Sequence, residues 1–240
     1  MYISSLTNAK VKDWMRLYQK KYRKDKYLLL DETLINEAHK TNHLDTLIYV
    51  GEAPFEFPNS YEVSLEVMHK LGQGAEYKYI GIGTKISPKE IEIKRAVLLD
   101  DLQDPQNVGM ILHSAELFGI DTVVLSENTA DIYHEKCLNA SKGSIYHVNV
   151  LRTNIKEMIN ELHQDGFKVY ATGLTKETKE LEEVEVSEKL AFVLGNEGSG
   201  VRQEIYDISD EVVKIRMENI DSLNVAIAGT IVMYYFANKK

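Results

Sequence analysis

The alternation of apolar runs with helical segments over residues 91–240 most strongly constrains the fold of this chain. Six runs are apolar at successive positions, as in strands that are buried on both faces. They read AVLLDDL, TVVLS, YHVNVL, FKVYATG, LAFVLG and EVVKI. Strands of this kind belong to parallel sheets covered by helices on both sides. We therefore predict a doubly wound α/β domain over residues 91–240, with a last helix over residues 222–237.

Residues 1–90 show a shorter version of the same alternation. A basic helix over residues 8–23 precedes three strand-like runs, YLLL, TLIYVG and YKYIGIGTK, and helices around ETLINEAHK and LEVMHKL separate them. The segment GEAPFEFPNS holds two of the four prolines and is predicted to be a loop, and Pro88 marks a linker. The pattern predicts a small α/β domain over residues 1–90.

Composition narrows the class of protein. With 240 residues, 44% of them hydrophobic, the chain can bury a substantial core. Cys137 is the only cysteine, which excludes an intrachain disulfide and a CxxC metal site. The first residues lack the apolar core of a signal peptide, and no apolar run reaches the roughly 20 residues of a membrane span. We expect a soluble cytoplasmic protein with no membrane partner and no bound metal.

The charge distribution is uneven. The net charge of −9 argues against a nucleic-acid partner, since Lys and Arg carry most affinity for phosphate backbones. Residues 10–26, however, hold eight basic and two acidic side chains, a net +6 against −15 for the remainder. This basic segment is either a solvated helix face or a polyanion-binding surface. Trp14, Tyr18 and Tyr22 recur at helical spacing, which favours packing of the helix over stacking on bases.

Candidate ligand-binding loops follow the strands of the second unit, because open α/β sheets bind ligands at the carboxyl ends of their strands. The glycine spacing of GNEGSGV matches neither a dinucleotide fingerprint nor a phosphate-binding loop, which disfavours an oxidoreductase. These glycines permit close approach of backbone to a ligand, with Glu197 at the mouth of the sheet, although a plain tight turn explains them equally. Ser222 and Asn107 suit either helix caps or ligand contacts.

Three segments in this order, NVGMILHSAELFGI, FVLGNEGSGV and IRMENIDSLNVAIAGTIVMYYF, resemble the motifs of the SpoU branch of the SPOUT RNA methyltransferases. The front of the chain, ISSLTNAKVKDWMRLYQKKYRKDKYLLL, is similar to the small RNA-binding domain, itself like certain ribosomal proteins, that precedes many of these enzymes. The resemblance implies methyl transfer from S-adenosylmethionine to a ribose 2'-hydroxyl of rRNA or, less favoured, tRNA. It also implies a deep trefoil knot and a homodimer formed through the knotted domain.

The motif match carries site residues over one position at a time. The positions that the resemblance implies for the cofactor are Thr172, Gly173, Leu174, Gly195, Ile215 and Leu223. The positions that it implies for catalysis are Asn107, His113, Glu197, Ser222 and Asn224. S-adenosylmethionine contains no phosphate, so the lack of a phosphate-binding motif agrees with this assignment.

Two positions depart from the family pattern. His113 stands where the family has arginine, and Arg216 stands where it usually has proline. A neutral histidine can accept a proton directly but lacks the permanent charge and fork geometry of arginine. Three interpretations stay open: His113 is a general base, Arg216 supplies the missing charge, or the chain is a weak or non-catalytic RNA-binding or ribosome-assembly factor that retains the knot.

Overall fold

Two β-sheets organise the computed structural model, which describes residues 1–175, 178–185, 187–218 and 222–239. The strands of the first sheet are β1 (Tyr2–Ile3), β2 (Lys26–Leu29), β3 (Leu44–Tyr49), β4 (Ser60–Val63) and β5 (Tyr79–Thr84). Its helices are α1 (Ala9–Arg16), α2 (Glu32–Lys40) and α3 (Leu65–Leu71). None of the helices within the described ranges has the length and apolar character needed to cross a membrane.

The first sheet has the order β1-β4-β3-β5-β2 and is mixed. β1, β4 and β3 run parallel, while β5 pairs antiparallel with both β3 and β2. Successive residues of β2 point to opposite faces, so Leu28 packs with α1 and α3, and Leu29 packs with α2. The short strands β1 and β4 were not predicted from the sequence.

The predicted basic helix over residues 8–23 is too long. Asn8 caps α1, which ends at Arg16, and a single 3-10 turn follows at Lys20–Tyr22. The guanidinium of Arg23 donates to the carbonyls of Leu17 and Tyr18. These side-chain donors satisfy the two carbonyls, which in a continued helix would accept from backbone N–H groups, so the helix can end here.

The second sheet consists entirely of parallel strands. They are β6 (Arg95–Asp100), β7 (Thr122–Leu125), β8 (Asn149–Arg152), β9 (Lys168–Thr172), β10 (Lys179–Glu180), β11 (Leu190–Gly195) and β12 (Glu211–Lys214). Its helices are α4 (Pro105–Leu117), α5 (Glu135–Ser141), α6 (Ile155–Gln164), α7 (Gln203–Tyr206) and α8 (Val225–Asn238). The predicted parallel α/β class and the six apolar strands are confirmed.

The strand order β10-β12-β9-β11-β6-β7-β8 places the loops after β6, β9, β11 and β12 along one edge. Helices α4, α5 and α8 share a core on one face, and α6 and α7 pack on the other. The acidic segment over residues 175–189, TKETKELEEVEVSEK, contains β10 and the buried Leu181. Residues 176–177 and 186 of that segment, and residues 219–221 of the third motif, lie outside the described residues.

Candidate active site

Three polar side chains from distant parts of the chain form a hydrogen-bonded row at the carboxyl edge of the second sheet. Asn107 donates from Nδ2 to Glu197 Oε1 at 3.0 Å, and its Oδ1 accepts from Asn224 Nδ2, also at 3.0 Å. Glu197 accepts two further bonds, from the backbone N–H groups of Gln103 and Asp104. We call Glu197, Asn107 and Asn224 the polar row. The structure thus brings three of the five predicted catalytic residues together.

Asn107 occupies the third position of α4 rather than its cap. The helix cap is Asp104, whose carboxylate accepts from the N–H of Gln106, and Pro105 takes the first helical position. Of the two roles left open for Asn107, the structure therefore excludes the helix cap. Its side chain is only 5% exposed, and a buried amide without partners would be costly, so both of its hydrogen bonds stabilise this arrangement.

Asn224, and not Ser222, caps α8. The Asn224 Oδ1 accepts from the N–H groups of Ala226 and Ile227, which excludes the cap as one of the two roles left open for Ser222. Because Asn224 engages these N–H groups, they are not available to bind an anionic ligand group. Ser222 is exposed and contributes to the wall of the adjoining cavity.

The carboxyl group of Glu197 is held in its ionised form. Burial opposes ionisation, but the N–H of Gln103, the Asn107 amide and the N–H of Asp104 outweigh burial and lower the pKa of the carboxyl below its usual value. A carboxylate that already accepts three hydrogen bonds is a weak proton acceptor. Its geometry suits it to orient Asn107 and the start of α4.

The loop that carries Glu197 is fixed at both ends. A Cβ atom on Gly195 would lie 2.1 Å from the backbone nitrogen of Val201, so only glycine fits there. Asn196 accepts from the N–H of Gly198 and donates to the carbonyl of Asp101. Beyond the turn, Arg202 pairs with the fully buried Asp100 at 2.6 Å. Sequence reasoning missed Asp100 and Arg202, since nothing local links residues 102 positions apart.

A cavity of about 440 Å³ opens beside the polar row, between the loops after β9, β11 and β12 and the start of α8. All six predicted cofactor positions line it, together with Glu197, Ser222 and Asn224. Lining residues that the sequence analysis did not name are Asn196, Gly200, Val213, Lys214, Met217, Val225, Ala228 and Val232. The spacing of Val225, Ala228 and Val232 on one helix face is the signal that would have found the last three.

His113 and Arg216 lie away from the polar row. His113 follows Asn107 by six residues, which is about 9 Å along the axis of α4 and on another face. Its Nδ1 is 3.1 Å from Ser144 Oγ, and the side chain is half-buried. The Arg216 side chain is 69% exposed, with Nε 3.8 Å from Glu180 Oε2. Neither residue lines the cavity.

Known proteins resemble this chain over nearly its whole length. The model of the SpoU rRNA Methylase family matches residues 94–234. The 23S rRNA (guanosine(2553)-2'-O)-methyltransferase RlmP of Bacillus subtilis is 31% identical over 248 residues, 97% of this chain and 98% of that protein. The crystal structure of an rRNA methyltransferase from Sinorhizobium meliloti has a TM-score of 0.88 at 25% identity, covering 98% of this chain and 96% of the other. Its AdoMet-bound form has a TM-score of 0.87 at 25% identity, covering 98% and 97%.

Proposed function

The chain belongs to the SpoU rRNA methylase family and is an S-adenosylmethionine-dependent RNA methyltransferase, and we propose that it modifies a ribose 2'-hydroxyl of 23S rRNA. The observation that carries this proposal is the polar row at the mouth of a cavity lined by every position that the family motifs imply for the cofactor. The name of the full-length relative specifies guanosine 2553, which makes the equivalent nucleotide the first to test.

The cavity fits the methyl donor. Its volume lies within the range of small-molecule sites, and apolar side chains such as Ile215, Leu223 and Val232 form much of its wall. We assign Thr172, Gly173, Leu174, Gly195, Ile215 and Leu223 to cofactor binding. When bound, S-adenosylmethionine supplies a methyl group on a positively charged sulfur. The Glu197 carboxylate at the cavity provides a negative charge that complements this cation.

The polar row would position the ribose. Asn224 lines the cavity and uses one of its two amide N–H groups for Asn107, which leaves the second N–H for the substrate oxygen. The buried Asn107 accepts from the Asn224 amide and is itself held by its hydrogen bond to Glu197, so it fixes the orientation of Asn224. Ser222 at the exposed rim is assigned to contact the ribose. Alignment of the hydroxyl with the methyl carbon accounts for much of the barrier in a displacement of this kind.

Proton removal is assigned to His113 by its position in the family motif alone, since His113 does not line the cavity. In the tautomer in which Nδ1–H donates to Ser144 Oγ, Nε2 is the nitrogen that can accept a proton. Replacement of His113 with alanine should lower kcat by about 10²- to 10⁴-fold in a methyl-transfer assay without changing the affinity for S-adenosylmethionine. His113→Arg tests the family residue in this setting. Full activity of His113→Ala would contradict the assignment, and higher activity of His113→Arg would show that the histidine is a handicap.

A non-catalytic RNA-binding or ribosome-assembly factor is the second candidate, favoured by the position of His113 outside the polar row. Titration calorimetry of the full chain with S-adenosylmethionine, with and without 23S rRNA transcript, separates the two. The methyltransferase proposal requires saturable binding in at least one condition. Absence of binding in both would overturn it.

We extend the proposal to the organisation of the protein. Residues 1–90 form an RNA-binding domain and residues 91–240 form a knotted catalytic domain, in a homodimer paired through the latter. The exposed apolar side chains of Leu117 on α4 and of Ile227 and Tyr234 on α8 support such pairing. Because the proposed substrate is ribosomal RNA, we assign the protein to the cytoplasm.

A further inference from the structure

The three aromatic residues of the basic segment have different environments. Trp14 is buried in the core of the first sheet, and Tyr18 is half-buried with its hydroxyl donating to the carbonyl of Leu71. Tyr22, in contrast, keeps 43% of its surface exposed. Packing therefore explains the first two aromatic residues but not Tyr22.

Cations surround the exposed ring. The guanidinium carbon of Arg16 lies 5.7 Å and the ammonium of Lys21 lies 4.9 Å from the centroid of Tyr22. Lys20 and Lys24 are also exposed, and within the described ranges Lys20, Lys21 and Lys24 form no ion pair. An exposed aromatic ring beside these unpaired lysines matches the way proteins bind single-stranded nucleic acid, where the ring stacks on a base and the cations contact phosphates.

A buried ion pair holds this surface to the catalytic unit. Arg23, next to Tyr22, donates from Nη2 to Asp131 Oδ2 at 2.7 Å, and both side chains are largely excluded from solvent. Asp131 belongs to the loop that follows β7, at the carboxyl edge of the second sheet. Arg152 steadies that loop by donating to the carbonyls of four of its residues, Ser126, Glu127, Thr129 and Ala130.

The same loop also contacts the polar row. The carbonyl of Asn128 accepts from Gln103 Nε2 at 3.0 Å, and the backbone N–H of Gln103 donates to Glu197. Continuous contacts therefore connect Tyr22 with the candidate active site through one loop. The Arg23–Asp131 pair thus places the residue next to Tyr22 against a loop at the carboxyl edge of the sheet, the edge that carries the polar row.

We propose that Tyr22 is a stacking platform for an unpaired base of the RNA substrate, with Lys20, Lys21 and Lys24 contacting the flanking phosphates. This inference rests on the proposed RNA methyltransferase function and names the form of RNA that it recognises: a single-stranded loop or end. Duplex RNA keeps its bases stacked on one another and offers none to Tyr22.

Fluorescence anisotropy with the full chain tests the platform. The probes are a labelled single-stranded RNA of mixed sequence, about 12 nucleotides long, and a duplex of the same length. Tyr22→Ala should weaken binding of the single strand by about tenfold, while Tyr22→Phe should retain it, because stacking needs the ring and not the hydroxyl. The matched control is Tyr2→Ala, which removes another exposed tyrosine from the same unit and should leave binding unchanged.

A charge series tests the phosphate contacts. Lys20→Gln combined with Lys21→Gln should reduce the slope of log affinity against log salt concentration by about 1.4 for the single strand. Lys94→Gln combined with Lys168→Gln removes two exposed lysines at the opposite edge of the second sheet and should leave the slope unchanged.

Wild-type affinity of Tyr22→Ala for the single strand would overturn the platform. An equal loss for single strand and duplex would also overturn it, since that result reports charge or folding and not stacking. Calorimetry with S-adenosylmethionine on the same variants should match wild type. Lack of donor binding by the wild-type chain would instead contradict the proposed function.

Discussion

Asn107→Ala is expected to lower kcat for methyl transfer by about 10²- to 10³-fold. The change removes both hydrogen bonds that join Glu197 to Asn224, so the cavity-facing amide loses its support. Single-turnover transfer of labelled methyl to 23S rRNA transcript measures the rate. Stability should also fall, by about 1–3 kcal/mol, because Glu197 and Asn224 each lose a partner.

Two further variants make the Asn107 test specific. Asn107→Asp retains an acceptor for Asn224 but places a second carboxylate against Glu197, so it should be nearly as impaired as Asn107→Ala. Gln106→Ala changes the exposed neighbour on the same turn of α4 and should keep the wild-type rate. A wild-type rate for Asn107→Ala would show that the polar row does not position the substrate.

Arg202→Ala is expected to reduce the free energy of unfolding by about 1–3 kcal/mol, because the buried Asp100 carboxylate loses its counter-ion while the 42% exposed position of Arg202 admits water. Asp100 has no exposed surface and accepts from both the guanidinium and the backbone N–H of Arg202. Urea unfolding measures the loss. The loop that carries Glu197 ends at this pair, so donor binding should weaken in parallel.

The matched control for Arg202 is Arg16→Ala, which breaks an ion pair with Asp13 in which both side chains are more than half exposed. That change should cost less than about 1 kcal/mol. Arg202→Met combined with Asp100→Leu should recover part of the lost stability, since removing both charges removes the uncompensated one. An Arg202→Ala variant as stable as Arg16→Ala would contradict the assigned role of the pair.

The sequence was sufficient to predict the parallel sheet because each of its main strands is apolar on both faces. β10 escaped prediction because it has two polar residues, Lys179 and Glu180, and lies at the sheet edge, where no hydrophobic run is required. Residues 10–26 show the limit of periodicity. Helical spacing correctly predicted that Trp14 is buried in the core. The same spacing predicted that Tyr22 is buried too, but α1 ends at Arg16 and Tyr22 is exposed.

The sequence placed most of the proposed site residues around one cavity, His113 excepted, but not the contacts among them. The six cofactor positions came from the resemblance to a family, and hydrophobic pattern alone would not have selected them. The sequence left Asn107 and Ser222 open between a helix cap and a ligand contact, and the structure gives the two caps to Asp104 and Asn224. Asn224 caps α8 while also bonding Asn107 across the site, a contact between residues 117 positions apart that no local rule contains. For this reason Asn224→Ala should cost about 1 kcal/mol of stability as well as activity.

Mass-spectrometric mapping of 23S rRNA transcript after incubation with the full chain and S-adenosylmethionine tests directly whether the protein methylates a ribose 2'-hydroxyl of this RNA. We expect a single new methyl group on a ribose 2'-oxygen, present with wild-type protein and absent with Asn107→Ala. Methylation of a base, or an unmodified transcript despite measurable binding of both RNA and donor, would contradict it.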